Sequence, residues 1–283
     1  MRTVFFFASV ATLVIAVALV GPAALAGKPA STVTRADLRG VNFVENCRFS
    51  HRAADDPIVF PGKPGASHDH SFVANSTTDA FSTFASLRAG STTCRRKADT
   101  AAYWMPTLLQ GTTPVLPMGA TIYYRRATLA DVQPFPNGFR MIAGSSTATE
   151  PQDKRITYWN CGVLGGLPPS STVPSCPATP GSFLRLHVRF PSCWDGQNLD
   201  SADHKSHVAY AMRGQCPSTH PVSLPAIELI YRYPTRGGDG FTLSSMGQFS
   251  AHADFFNAWN PGQLRKLVDD CLNALVHCGQ GGI

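Results

Sequence analysis

Short apolar runs separated by Pro, Gly and Ser clusters fill most of the chain and predict a mostly β protein. The clearest run is 183–190, where apolar residues alternate with Arg185, His187 and Arg189. This alternation is typical of a strand with one face on the core and one basic face outside. The other predicted strands are 41–49, 120–126, 155–161, 208–212 and 227–233.

One amphipathic helix is predicted near the C-terminus. Asn260 is a suitable N-cap, Pro261 suits the first helical position, and apolar residues then recur at helical spacing from Leu264 to Val276. Gly279 would end the helix, and a shorter helix is predicted at 79–87. Many short strands with a closing helix predict an antiparallel β-sandwich or jelly-roll-like single domain over residues 38–283.

The N-terminus has the pattern of a signal peptide. Arg2 precedes an apolar stretch, Gly21-Pro22 interrupts it, and Ala24-Leu25-Ala26 is a suitable cleavage site. We predict a signal peptide at 1–26 and a linker at 27–37. The alternative is an uncleaved anchor, since the stretch is almost long enough to span a bilayer. The break and the small residues favour cleavage, which would leave a secreted, extracellular protein without a stable membrane anchor.

Eight cysteines follow the predicted cleavage site. An even number in an exported chain predicts four disulfides, and no C-x-x-C pair indicates a zinc knuckle or a redox motif. We predict pairing between sequence neighbours: 47–94, 161–176, 193–216 and 271–278. The last pair requires the helix to end before Cys278, because seven helical residues span about 10.5 Å and a disulfide joins Cα atoms within about 7 Å.

Composition and charge narrow the class of protein. Hydrophobic residues make up 43% of the chain, enough for a sizeable core, and charged residues only 15%. The net charge of +6 would suit anionic surfaces or polysaccharides, but we interpret it as that of a mildly basic secreted protein. No basic run interleaved with aromatic residues indicates nucleic acid as a partner.

The first candidate site is the segment Ser67–Phe72, which contains an H-x-H pair. In a strand, His68 and His70 point to the same side. Two such imidazoles could chelate a divalent metal ion with a third ligand from elsewhere, or one could act as a general base. The alternative is a structural pair that hydrogen-bonds to the backbone and fixes a loop.

Two further clusters combine aromatic and polar residues. Trp194 could stack on a sugar ring, with Asp195 beside it as acid, base or hydrogen-bond acceptor and His207 downstream. The alternative is a core Trp followed by an Asp-Gly turn. His252 and Asp254 would pair if their segment is extended, whereas a helix would place His252 near Phe255 and Phe256.

A fourth candidate site is weaker, and several catalytic sequence motifs are absent. Asp55-Asp56-Pro57 could bind a cation, although such a pair is more often part of a turn. The chain has no G-x-S-x-G, no H-E-x-x-H and no phosphate-binding Gly loop.

Several motifs in order resemble a known family, the domain-of-unknown-function family nineteen-ninety-six of secreted fungal and actinobacterial proteins. The motifs are Asp56–Gly62, Ser67–Phe72, Tyr103–Leu108, Cys193–Gly196, Ser206–Tyr210, Cys216–Pro217 and His252–Trp259. Members usually have Gly where this chain has Ala74 and Ala258. Some relatives carry a cell-wall-sugar-binding WSC domain, which implies a carbohydrate setting but no particular reaction.

The leading hypothesis is a secreted protein that acts on polysaccharide or cell-wall glycan as a hydrolase or lyase. We expect one cleft to contain His68, His70, Asp195, His207, His252 and Asp254. In this hypothesis the histidines act as ligand or base, Asp195 or Asp254 as acid or orienting carboxylate, and Trp194 as stacking platform. Arg185 and Arg189 would stabilise anionic groups. The alternatives are a non-catalytic glycan-binding module, a metal-binding secreted protein, and purely structural motifs.

Overall fold

The computed structural model describes residue 1 and residues 33–162 and 167–280. The predicted signal peptide beyond Met1, and the linker up to residue 32, lie outside the described residues. The strands are β1 (Asn42–Ala53), β2 (His70–Ala74), β3 (Ala102–Pro106), β4 (Leu108–Gln110), β5 (Thr113–Val115), β6 (Gly119–Arg125), β7 (Arg140–Gly144), β8 (Thr157–Asn160), β9 (Arg185–Arg189), β10 (Cys193–Trp194), β11 (Val208–Ala209), β12 (Val222–Ser223), β13 (Ala226–Arg232), β14 (Phe241–Leu243), β15 (His252–Phe256) and β16 (His277–Gly279). The helices are α1 (Phe84–Ala89) and α2 (Pro261–Leu267), and α2 continues into a π-helical segment, Val268–Asn273.

One nearly closed, mostly antiparallel sheet organises the fold. Its strand order is β7-β15-β3-β2-β1-β6-β13-β9-β8, with β16 parallel to β1. The long strand β1 lies in the middle of this order and joins its two halves, because residues 42–48 pair with β6 and residues 49–53 pair with β2. A register shift between Phe49 and Arg52 marks the bend. We call β2, β3, β15 and β7 the β2 half, and β6, β13, β9 and β8 the β6 half.

The sheet encloses one large core lined by the inward residues of both halves. Phe43 of β1 stacks on Tyr124 of β6 with ring centroids 4.6 Å apart, and Trp259 packs edge-on against both rings. The Trp259 indole N–H donates to the Tyr124 hydroxyl at 2.9 Å, and the Tyr103 hydroxyl bonds to Asp99. The aromatic centre is therefore fixed by packing and by satisfied polar groups.

The predicted fold class is confirmed. Each of the six predicted strands coincides with an observed one, although 208–212 is reduced to the two residues of β11. The C-terminal helix begins at Pro261, and the Asn260 side chain accepts from the backbone N–H of Gln263 at 3.1 Å. The earlier helix is shorter and later than predicted, since Thr83 caps it and it spans only Phe84–Ala89.

All four predicted disulfides are present. The Cys271–Cys278 bridge has a Cα–Cα distance of 5.8 Å, because helical structure ends at Asn273 and the chain turns back into β16. Four disulfides are typical of proteins that fold in an oxidising compartment. Among the described residues, no helix has the length and apolar character needed to cross a membrane.

A buried ion cluster stabilises the outer face of the β6 half. The carboxylate of Glu228 on β13 accepts from Tyr158, His187 and Arg189 at 3.0, 3.1 and 3.1 Å, and Arg125 lies 2.8 Å away. Burial alone would raise the pKa of Glu228, but the hydrogen bond from His187 and the two arginines lower it to about 2.

Glu228 should make the free energy of unfolding depend on pH in the acidic range. A carboxyl with a lowered pKa in the folded state contributes its full stabilisation above its unfolded pKa of about 4.5, and loses it as pH falls towards about 2. We expect the contribution of Glu228 to the free energy of unfolding to fall by on the order of 3 kcal/mol over that pH range. Urea unfolding of Glu228→Gln at pH 6, 4 and 3 should therefore show a shallower pH dependence than wild type. Glu150→Gln, at an exposed carboxyl, should follow wild type; parallel curves for all three proteins would refute the role of Glu228.

Candidate metal centre

The site lies on the outer face of the β2 half, where three strands place polar residues side by side. His70 is the first residue of β2 and His252 the first of β15, with β3 between them. Alternation puts His252 and Asp254 on one face, and Trp104 of β3 is paired with Asp254. The extended interpretation of the His252 segment is thus correct, and the helical one is wrong.

Three imidazoles meet above β3. The Nε2 atoms of His68 and His252 are 3.2 Å apart, although the residues are 184 positions apart in sequence. The His70 ring centroid lies 4.2 Å from that of His68 and 5.9 Å from that of His252. One potential ligand nitrogen from each residue lies within 4.8 Å of the other two, the spacing of a metal-ligand set.

Backbone carbonyls fix the proton positions of two of these rings. His70 Nδ1 lies 3.0 Å from the carbonyl oxygen of Asp55, and His252 Nδ1 lies 2.8 Å from that of Ser250. A carbonyl oxygen only accepts, so each Nδ1 carries the proton and each neutral ring keeps a lone pair on Nε2. Metal-binding histidines usually donate their other ring N–H to a carbonyl or carboxylate in this way. His70 Nε2 is buried and has no hydrogen-bond partner among the described residues.

Asp254 adds a buried carboxyl to the same place. Its side chain is 1% exposed, and Oδ2 lies 4.0 Å from His252 Nε2. Neither Oδ1 nor Oδ2 has a hydrogen-bond partner within the described ranges. An unsatisfied buried carboxyl is costly for a folded protein, so it points to a cation or a ligand that satisfies it.

A second carboxyl, from Asp56, lies beside this group. Asp56, His70 and Asp254 form another set with ligand atoms within 4.8 Å of one another. Asp56 Oδ1 accepts from the backbone N–H groups of Ile58 and Val59, both at 2.9 Å, in a tight turn. The Asp-Asp-Pro motif therefore serves both as the turn and as part of the site, and Asp56 is a residue that the predicted cleft omitted.

Burial controls the protonation of every group in the site. Desolvation lowers the pKa of His68 and His70, and it lowers the pKa of His252 to about 3. The imidazoles are therefore neutral, as metal ligands must be. Burial raises the pKa of Asp254 well above its usual value, and the neighbouring Asp56 raises it further.

A cavity of about 320 Å³ opens in front of these residues. His68, His252, Asp254 and Asp56 line it, whereas His70 is fully buried and is not part of its lining. Val59, Phe60 and Ile142 form apolar walls. The remaining lining residues are polar: Ser67, Ser146, Asp203, His204 and Lys205. A small ligand in the cavity would therefore contact His68 and His252 but not His70.

Two predicted members of the cleft lie elsewhere, which corrects the expectation that all six converge. Asp195 closes its own turn, accepting from the backbone N–H groups of Gln197 and Asn198 at 2.8 and 2.9 Å. His207 is buried between the Ser201 hydroxyl and the Arg140 carbonyl, and its ring packs on Phe139. Neither residue lines the cavity.

Three predicted substrate-binding residues also lie outside the cavity lining. Trp194 packs edge-on against Phe139 and donates from its indole N–H to the carbonyl of Asn198 at 2.6 Å, so it belongs to the packing of this loop. Arg185 and Arg189 lie on β9, on the outer face of the β6 half. The loop from Trp194 to His207 nevertheless contains Asp203–Lys205, which line the cavity.

The family comparison gives one match. A family model described as "Domain of unknown function (DUF1996)" matches residues 56–259, which contain all four site residues His68, His70, His252 and Asp254 as well as Asp56. No curated protein and no solved structure matches the chain.

The unsatisfied carboxyl predicts an unusual effect on stability. In buffer containing EDTA, Asp254→Leu should raise the free energy of unfolding by about 1–3 kcal/mol, because it removes a buried polar group without a partner. Asp99→Leu is the matched control, since Asp99 is equally buried but accepts from Tyr103 and from the backbone N–H of Ala101. Asp99→Leu should destabilise the protein in urea unfolding. Destabilisation of similar size by both substitutions would show that Asp254 is satisfied in the folded protein.

Proposed function

We propose that this chain, which belongs to the DUF1996 family, binds one divalent transition-metal ion through His68, His70, His252 and Asp254. We further propose that the bound ion serves a hydrolase or lyase reaction on an extracellular polysaccharide or cell-wall glycan. One observation carries the proposal: three imidazole nitrogens meet beside a buried carboxyl that lacks a hydrogen-bond partner among the described residues.

The donor set indicates the class of metal. Imidazole nitrogen with one carboxylate oxygen suits Zn²⁺ and other first-row divalent ions better than Mg²⁺ or Ca²⁺. Two nitrogens bound to a tetrahedral zinc ion at about 2.0–2.1 Å would lie roughly 3.3 Å apart. The 3.2 Å between the Nε2 atoms of His68 and His252 fits this geometry with little movement.

The cavity supports a catalytic rather than a purely structural ion. Structural zinc sites are closed by four protein ligands, whereas catalytic sites leave a position for water or substrate. A catalytic ion here would therefore be held by the three histidines, with the Asp254 carboxylate beside it and one position left to water. An ion held by His68 and His252 would face the cavity, where Asp56 also lies. The ion would supply positive charge that makes a nearby water more acidic. In hydrolysis, the Asp56 carboxylate would take a proton from that water as the water oxygen bonds to the anomeric carbon, and would return the proton to the leaving sugar oxygen as the glycosidic bond breaks.

The same groups would serve a lyase if the polymer contains uronate units. His68 and His252 would hold the ion, whose positive charge would offset that of the uronate carboxylate, and the Asp56 carboxylate would take up the proton from the adjacent carbon. The electron pair would then form a carbon–carbon double bond as the glycosidic oxygen departs. The cavity volume of about 320 Å³ lies at the lower end of the range for small-ligand sites, about 300–1,000 Å³.

Metal binding is the first test. After dialysis against EDTA and then against Zn²⁺, wild type should hold one equivalent of zinc by elemental analysis. His70→Ala and His252→Ala should each lower the affinity for zinc by about 100-fold or more in competition titrations with a coloured chelator. His277→Gln, at an exposed histidine, should leave it unchanged. Less than about a tenth of an equivalent in wild type would refute a tight site.

Turnover is the second test. Wild type with zinc, and with Co²⁺ or Mn²⁺ in its place, would be incubated with a panel of neutral and uronate-containing polysaccharides. Hydrolysis releases new reducing ends, whereas a lyase also gives the ultraviolet absorbance of an unsaturated uronate end. His68→Ala with His70→Ala should abolish turnover while polymer binding persists. Binding without turnover in either protein would assign the chain to the non-catalytic glycan-binding class.

Export belongs to the same proposal. A chain secreted after cleavage at Ala26 should begin with Gly27-Lys28-Pro29 in N-terminal sequencing of the extracellular protein. Retention of Met1 in the mature protein would contradict export by a cleaved signal.

A further inference from the structure

We infer that the outer face of the β6 half binds an anionic polysaccharide through an arginine row formed by Arg48, Arg232 and Arg185. The inference shares the polysaccharide class with the proposed function but does not depend on the metal site. Arg232 of β13 is paired with Arg185 of β9 on one side and with Gly119 of β6 on the other. Gly119 is in turn paired with Arg48 of β1. The row therefore crosses four neighbouring strands.

The arginine row is electrostatically unbalanced. Like charges directly opposite each other on neighbouring strands destabilise a sheet, and Arg232 faces Arg185 in this way. Within the described part of the chain, no carboxylate forms an ion pair with any member of the row. The buried Nε of Arg185 also has no hydrogen-bond partner there. Burial and then the charge of Arg232 lower the pKa of Arg185, as expected for a cation without a counter-ion.

The other arginines of this face provide the contrast. Arg125 and Arg189 both contact the carboxylate of Glu228, four residues along β13 from Arg232. Glu228 thus neutralises one end of the face and leaves the row at the other end unneutralised. An external anion is the partner whose charge fits the row.

The arrangement favours a polymer with repeated anionic groups. Neighbouring strands are about 4.8 Å apart, so the backbone positions of Arg48 and Arg185 lie roughly 14 Å apart, with Arg232 between them. That length matches a few sugar units of a polymer better than one small anion. Arg48 and Arg232 are exposed and Arg185 is half-buried, so all three can be reached from outside. Arginine binds carboxylates and sulfate or phosphate esters through paired N–H groups.

The surroundings of the row favour sugar over a lipid surface or nucleic acid. Asn160 is paired with Arg185 and can bond to hydroxyl groups. Ile230, the apolar residue next to the row on β13, is only 7% exposed, so it offers little for insertion into a bilayer. Tyr158 stacks on His187 and is only 7% exposed. Tyr123, the half-buried aromatic residue of the same face, has the Arg125 guanidinium over its ring at 4.5 Å, so little aromatic surface is left for nucleic-acid bases.

Affinity electrophoresis through gels containing polygalacturonate tests the inference. Wild type should be retarded by polygalacturonate and not by neutral dextran. The double variant Arg185→Gln with Arg232→Gln should bind about tenfold more weakly, because it loses two charge-assisted contacts. The matched control, Arg265→Gln with Lys63→Gln, removes the same charge from exposed positions on α2 and a loop, and it should keep wild-type retardation.

Each other outcome overturns the inference. No retardation of wild type, or equal loss in both double variants, would show that the row is not a specific site. Stronger binding to single-stranded DNA or to phosphatidylglycerol vesicles than to polygalacturonate would assign the face to a different partner. Urea unfolding should show that the Arg185/Arg232 variant is folded, and relief of like-charge repulsion should leave its stability unchanged or higher. The His68→Ala/His70→Ala protein should keep full retardation, so failure of the metal centre and failure of the row are separable.

Discussion

The burial of one apolar core inside a sheet that bends back on itself determines the rest of this structure. Because side chains alternate along each strand, every residue that enters the core forces its neighbours to the outside. The bend of β1 then separates that outside into two surfaces. One becomes a histidine–carboxylate site covered by loops, and the other becomes a face rich in arginine. Both kinds of chemistry follow from the same two-residue period.

The two surfaces differ in whether their buried carboxyl group has hydrogen-bond donors. On the β6 half, Glu228 is surrounded by donors, so its negative charge stabilises the fold. On the β2 half, Asp254 has no donor among the described residues, and the neighbouring imidazoles are neutral, with His252 Nε2 accepting from His68 Nε2 at 3.2 Å. Buried carboxyl groups without donors are rare because they destabilise the folded state. One that lies next to an accessible cavity is characteristic of a binding site that lowers the stability of the fold.

The strands of the β6 half could be predicted from the sequence, whereas those of the β2 half could not. Strand β9 alternates clearly because one of its faces is polar, and its prediction is confirmed. Strands β2, β3 and β15 are buried on both faces, so they show no alternation. Their polar residues resembled isolated motifs rather than strand positions. The H-x-H spacing and the pair His252 and Asp254 did identify four of the site residues. For Trp194 and Asp195 the alternative of a packed Trp followed by an Asp-Gly turn is the one observed. The position of His207 depends on how one loop folds against Phe139, which no local pattern indicates.

The distance in sequence between His68 and His252 has a consequence for how an ion would be acquired. The first two imidazoles emerge early during synthesis, but the third lies close to the end of the chain. Two imidazoles chelate an ion more weakly than three, so the proposed metal site would be complete only once β15 is in place beside β3. If the chain folds only where its disulfides form, the metal supply of that compartment, not that of the cytosol, would determine which element the protein carries.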